Sequence, residues 1–202
     1  MSKLDIFNFN KDLVELIEQE SQISDTLTNS ELFTNEVAIQ LTMNGRITDH
    51  IYEEFGTEQI NAFAIDEGES ITLFVTDYYP DKDIYKISKE EIDELRKGAI
   101  KFLQKIINEE ISFDKKTPYF KNLDYLTKNL KDIPQSSKCT INIITNREYL
   151  QKYLPENKNV GQFRVETKLY DINQLAELYN DDLPEQSIDI NFTKLKKKKK
   201  VN

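Results

Sequence analysis

Apolar and polar positions change their period several times along this chain, and each change marks an element. Leu13, Leu16 and Ile17 recur at helical spacing and predict a helix over 11–28. A second helix is expected from an N-cap at Ser30, with Leu32, Phe33, Val37 and Leu41 on its apolar face. Gly45 falls where a left-handed residue closes a helix. Residues 46–58 carry no clear period and read as a further helical turn and a loop. Two apolar runs follow near 59–66 and 70–78, joined by the acidic turn Asp66, Glu67, Gly68 and Glu69. Both are apolar on both faces, which predicts a hairpin near the centre of a sheet. Ser88 and Glu91 have capping-box spacing, and Ile92, Leu95, Ala99, Phe102 and Ile106 form a stripe on a helix ending near Glu110. Pro118 opens another helix, with Tyr119, Leu123, Leu126 and Leu130 on one face and Pro134 as its stop.

From there the pattern shortens. Residues 139–144 read as a strand and 147–154 as a short helix. Phe163, Val165, Thr167 and Leu169 alternate with polar neighbours as a half-exposed strand. Asp171 caps a helix bearing Ile172, Leu175, Ala176 and Leu178, and Ile188, Ile190 and Phe192 predict a last strand. Helices, hairpin, long helices and then alternating strands and helices make an α/β fold, a mixed sheet flanked by helices. With no repeat and no long linker, residues 1–193 are expected to form one domain.

Composition narrows the picture. Eleven Phe and ten Tyr in a chain 38% hydrophobic support a packed core. No apolar run approaches the ~18 residues of a membrane span. The start, MSKLDIFNFN, lacks the apolar stretch of a secretory signal, so the cytoplasm is the expected compartment. Cys139, in an alternating run, reads as a buried structural thiol, and His50, in a polar stretch, as a surface histidine. One histidine excludes His-rich zinc sites. The six lysines of the tail leave residues 1–193 at −15 against −9 for the whole, so the body repels a phosphate backbone. Residues 194–202 cannot pack and are expected to be disordered. They read as an arm for nucleic acid or anionic lipid, as a solvated end, or as a shifted reading frame past an A-rich lysine tract.

The hairpin carries the candidate chemistry. Its second strand ends on Asp77, and a carboxylate at the mouth of a β-hairpin is where metal-dependent nucleases place a ligand for a hard divalent cation. The residue two places on shares its face of the strand; in such nucleases it is usually a lysine, and here it is Tyr79. Three segments in order, FAIDEGESITLFVTDYYP, INIITN and LYDINQLAELYNDDLPEQSIDINF, resemble the N-terminal region of the AIPR (abortive infection phage resistance) proteins of bacteria over roughly residues 30–193. The resemblance implies a restriction-endonuclease-like core, in which a helix Glu, a strand Asp and an acid-x-Lys pair bind Mg²⁺ and activate water. Carried over, Glu36 is the helix acid and Asp77 the acid of the last motif, while the strand Asp falls on Asn61 and the lysine on Tyr79. Asn61 can still offer a carbonyl oxygen to Mg²⁺, and Asp66 can substitute for it on the turn. Tyr79 cannot stand in as a cation, which weakens stabilisation of transition-state charge. Two readings stand. One is a degenerate nuclease-like domain of a phage-defence protein, shortened and weakly drawn to nucleic acid. The other is a non-catalytic module on the same fold, for recognition or self-association with a missing C-terminal region.

Overall fold

The computed structural model describes residues 3–24, 26–47, 51–52, 60–66, 70–108, 110, 120–132, 134, 137–151 and 153–181. His50, Pro118, the acidic turn 67–69, the expected strand near 188–192 and the lysine tail lie outside them. The described elements are helices α1 (Lys3–Ile23), α2 (Asn29–Met43), α3 (Lys89–Ile107), α4 (Phe120–Asp132) and α5 (Ile172–Asp181), with strands β1 (Ile51–Tyr52), β2 (Ala62–Asp66), β3 (Ser70–Asp77), β4 (Ser137–Thr145), β5 (Lys158–Val160) and β6 (Phe163–Tyr170). The strands form one mixed sheet in the order β1-β2-β3-β4-β6-β5. β1, β2 and β3 pair antiparallel, β3, β4 and β6 run parallel, and β5 closes the edge antiparallel to β6. The expected mixed sheet is present, with β3 and β4 at its centre.

Side-chain alternation along the central strands divides the molecule into three layers. Ile71, Leu73 and Val75 of β3 and Ile141 and Ile143 of β4 face α3 and α4, packing with Ile92, Ala99, Phe102, Ile106, Leu126 and Leu130; Leu95 joins them half-buried. Phe74 and Ile144 point the other way, into a core with Leu13 and Ile17 of α1, Phe33 and Val37 of α2, and Leu175 of α5. Cys139 is buried in the first core, and burial pushes its thiol pKa well up. No helix among the described residues is long and apolar enough to cross a membrane.

Several boundaries differ from the sequence pattern for physical reasons. α1 begins at Lys3, well before residue 11, because Ile6, Asn10, Leu13 and Ile17 form one buried stripe. Asn10 interrupts that stripe as a polar residue yet is fully buried, its amide donating to Asp81 O (3.3 Å) and Lys82 O (3.0 Å). α2 is capped by Thr28, not Ser30. The Thr28 hydroxyl accepts from Glu31 N at 3.3 Å while the Glu31 carboxylate accepts from Thr28 N at 2.7 Å. Residues 147–151, 153 and 154 are not helical, because distant groups take their backbone positions. Glu148 N donates to Tyr85 O (2.7 Å), Ile87 N donates to Glu148 O (3.1 Å), and Tyr149 N donates to the Asp171 carboxylate (2.9 Å). β5 and β1 were not legible as strands; each is two or three residues at a sheet edge.

Candidate functional site

The parallel register of β3 and β4 sets Asp77 opposite Thr145 at the carboxyl ends of both strands. Asp77 has the same parity as Val75, so its side chain lies on the α3 face of the sheet. There its Oδ2 accepts from the Thr145 hydroxyl (2.7 Å) and from Arg147 Nε (2.7 Å). Arg147 Nη1 also reaches Glu91 Oε1 at 3.0 Å, in the first turn of α3. The Arg147 side chain is only 14% exposed and that of Asp77 24%, so the pair is largely withdrawn from water. Glu91 is held down at about 2, first by the Ser88 backbone N–H and hydroxyl and then by Arg147. The next residue, Asn146, is buried and grips the chain beyond Asp77. It accepts from Tyr79 N (2.8 Å), donates to Tyr79 O (2.8 Å), and donates to Asn10 of α1 at 3.1 Å.

Beside this cluster is a cavity of about 450 Å³, lined by Val75, Asp77, Leu95, Gly98 and Arg147 and by three further acids of α3, Glu90, Glu91 and Glu94. Four carboxylates therefore share this lining with one guanidinium, which bonds two of them, Asp77 and Glu91. Even so, no group of three His, Cys, Asp or Glu side chains among the described residues is placed to hold a metal ion.

The other sequence-predicted residues are elsewhere. Glu36 is on α2, the helix packed on the opposite face of the sheet, where its Oε1 accepts from the Tyr179 hydroxyl (2.9 Å) and from Gln40 (3.4 Å). Asn61 closes the base of the hairpin: Thr76 N donates to its Oδ1 (2.8 Å) and its own N–H donates to Phe74 O (2.8 Å). Asp66 ends β2 opposite Ser70, at the far end of β3 from Asp77. Seven residue steps at ~3.3 Å put the two backbones roughly 20 Å apart. Tyr79 is 40% exposed, its ring 4.6 Å from that of Tyr85.

The arrangement thus brings Asp77 to Arg147 and Glu91, and leaves Glu36 and Asp66 apart from it. This donor set does not fit Mg²⁺. A divalent cation needs several converging oxygens, and here Glu36 is on the other face, Asn61 Oδ1 accepts from Thr76 N, and Oδ2 of Asp77 is bonded to a guanidinium. Arg147 and Asn146 are the site residues that sequence reasoning passed over. Two signals pointed to them: arginine is scarce in the chain, and the INIITN segment ends on Asn146, immediately before Arg147.

No curated protein and no solved structure matches the chain. Residues 33–177 match the sequence model described as the abortive infection phage resistance protein N-terminal domain. That span runs from α2 into α5 and takes in every strand of the described sheet and the whole Asp77–Arg147 cluster. The chain belongs to the AIPR N-terminal domain family.

Proposed function

We propose that the chain serves bacterial phage defence in the cytoplasm as a nuclease-like domain that does not cut, providing recognition or self-association for a C-terminal region. The carrying observation is the state of Asp77, whose Oδ2 accepts from both Arg147 and Thr145. The order α2, hairpin β2–β3, α3 and parallel β4, in three layers, supports kinship with the restriction-endonuclease-like fold. Asn61 and Tyr79, at the positions of the resembled Asp and Lys, favour the non-catalytic form. Where nucleases keep ligands and a cation, this chain has hydrogen bonds that hold its own backbone.

The test is direct. The purified chain is incubated with Mg²⁺ or Mn²⁺ and single-stranded DNA, duplex DNA or RNA. The expected result is no divalent-dependent cleavage above a metal-free control. Robust cleavage that disappears in Asp77→Asn would overturn the reading and restore an active enzyme. Because the matching family model describes an N-terminal domain, sequencing the locus beyond the lysine codons for an in-frame continuation tests the remainder of the proposal.

A further inference from the structure

A second cavity, of about 260 Å³, lies on the other face of the sheet and at the other ends of the parallel strands. Its floor comes from residues in register across three strands: Ser70 beside Lys138, Thr72 beside Thr140, and Asn142 beside Lys168. These have the same parity as Phe74, Ile144 and Tyr170, which continue the face as apolar core. Strands buried in an α/β sheet ordinarily read as apolar on both faces. Here the stretch over the cavity is polar.

Arg46 completes the wall. α2 ends at Met43 with Asn44 as its C-cap, and Gly45 takes a left-handed turn (φ 64°) that returns Arg46 N to Leu41 O at 2.8 Å. The turn brings Arg46 to the cavity, where its guanidinium also reaches the Tyr170 hydroxyl. Three cations, Arg46, Lys138 and Lys168, therefore line one small space in a chain of net charge −9. The adjacent carboxylate, Glu166, is bonded to Lys138 and to the Thr140 hydroxyl (3.2 Å). Asn142 is 1% exposed, and its Oδ1 has no hydrogen-bond partner. A buried carboxamide in a native fold ordinarily finds one, and Asn142 is among the residues that line the cavity.

We propose that this cavity binds a phosphate monoester. Such a group carries a charge of about −1.5 to −2 and three acceptor oxygens, matching the cations and the hydroxyls of Ser70 and Thr72. In its monoprotonated form it also has a hydroxyl to donate to Asn142 Oδ1. At ~30 Å³ per water-sized group, the volume holds a phosphoryl group and part of a pentose, not a whole nucleotide, so a base would lie outside. The monoester belongs either to a free nucleotide or to the 5′ end of a nucleic-acid strand. The inference is independent of whether the Asp77 end cuts.

The experiment is calorimetric titration of the full chain at fixed ionic strength with adenosine, adenosine 5′-monophosphate, and a DNA 12-mer with or without a 5′-phosphate. A full-length variant with glutamine at Lys196, Lys197, Lys198, Lys199 and Lys200 removes binding by the tail. Saturable binding of a phosphorylated probe and none of its dephosphorylated partner is expected. Lys138→Gln and Lys168→Gln, both at exposed positions, should each weaken it about tenfold, the equivalent of ~1.4 kcal/mol. Asp77→Asn should leave it unchanged, which separates this site from the other. Equal affinity for the nucleotide and the phosphorylated strand identifies a nucleotide site; tighter binding of the strand identifies an end-recognition site. The proposal fails if no phosphorylated probe saturates, if binding survives the two lysine substitutions, or if it vanishes with the tail lysines alone.

Discussion

At the scale of residues, Asp77 and Arg147 define what the strand ends can do. Their contact is bonded at 2.7 Å and mostly screened from solvent, so removing one partner strands the other in a poorly hydrated place. Arg147→Ala should therefore cost about 1.5–3 kcal/mol, the usual worth of hydrogen bonds to charged groups. Asp77→Ala should cost a similar amount, and the double variant less than the sum of the two. The check is a double-mutant cycle by urea denaturation, with a coupling expected between about 0.5 and 3 kcal/mol. Strict additivity would mean that the pair does not form in solution. Asn146 acts by a different route, holding Tyr79 through both backbone groups and tying it to α1. One buried amide thus joins the end of β4 to the segment after β3 and to the first helix.

Among the elements, α3 shows how sequence and site are linked. Its N-terminal capping box uses Glu91 to accept from the Ser88 N–H at 2.8 Å, and the same side chain bonds Arg147. Glu91 titrates at about 2 in the folded chain against an ordinary 4.5. A lowered folded pKa contributes stability that is full above the unfolded value and is lost as pH falls toward the folded one. Between about pH 4.5 and about pH 2 the native chain should therefore lose stability, and Glu91→Gln should lose less over the same window. Thermal melts of both forms across that range make the comparison; parallel acid limbs would refute the assignment to Glu91. This helix was legible because a Ser-x-x-Glu start and an apolar stripe at helical spacing are local signals. The hairpin and the cap at Asp171 were legible for the same reason. By contrast, 147–154 resembled a helix because the contacts that extend it, to Tyr85, Ile87 and Asp171, come from distant segments. The site was half legible: Asp77 stood out as a carboxylate on an apolar strand, but Arg147 is 70 positions away in the chain and no local period announces their pairing.

Two cores of the molecule share one sheet, and this bears on how it unfolds. Leu103 is fully buried between α3 and one face, and Phe33 is fully buried between α2 and the other, its ring 5.1 Å from that of Tyr78. β3 supplies both cores, through Leu73 on the first side and Phe74 on the second. Releasing the helices of one face would expose that side of the central strands and leave the other core packed on an unsupported sheet. The faces should therefore melt together, as one domain. Leu103→Ala should cost about 2–5 kcal/mol and Phe33→Ala about 3–5, the usual toll of a core cavity. Each should shift the midpoint of urea unfolding without changing its slope, since the slope follows the surface exposed. The two residues sit on opposite sides of the sheet with no shared partner, so their costs should add within about 0.5 kcal/mol. Near-ultraviolet and far-ultraviolet circular dichroism should trace one coincident transition for all three proteins. A variant that splits into two transitions, with α3 and α4 lost before α1 and α2, would show that the faces fold as separate units and that the sheet does not couple them.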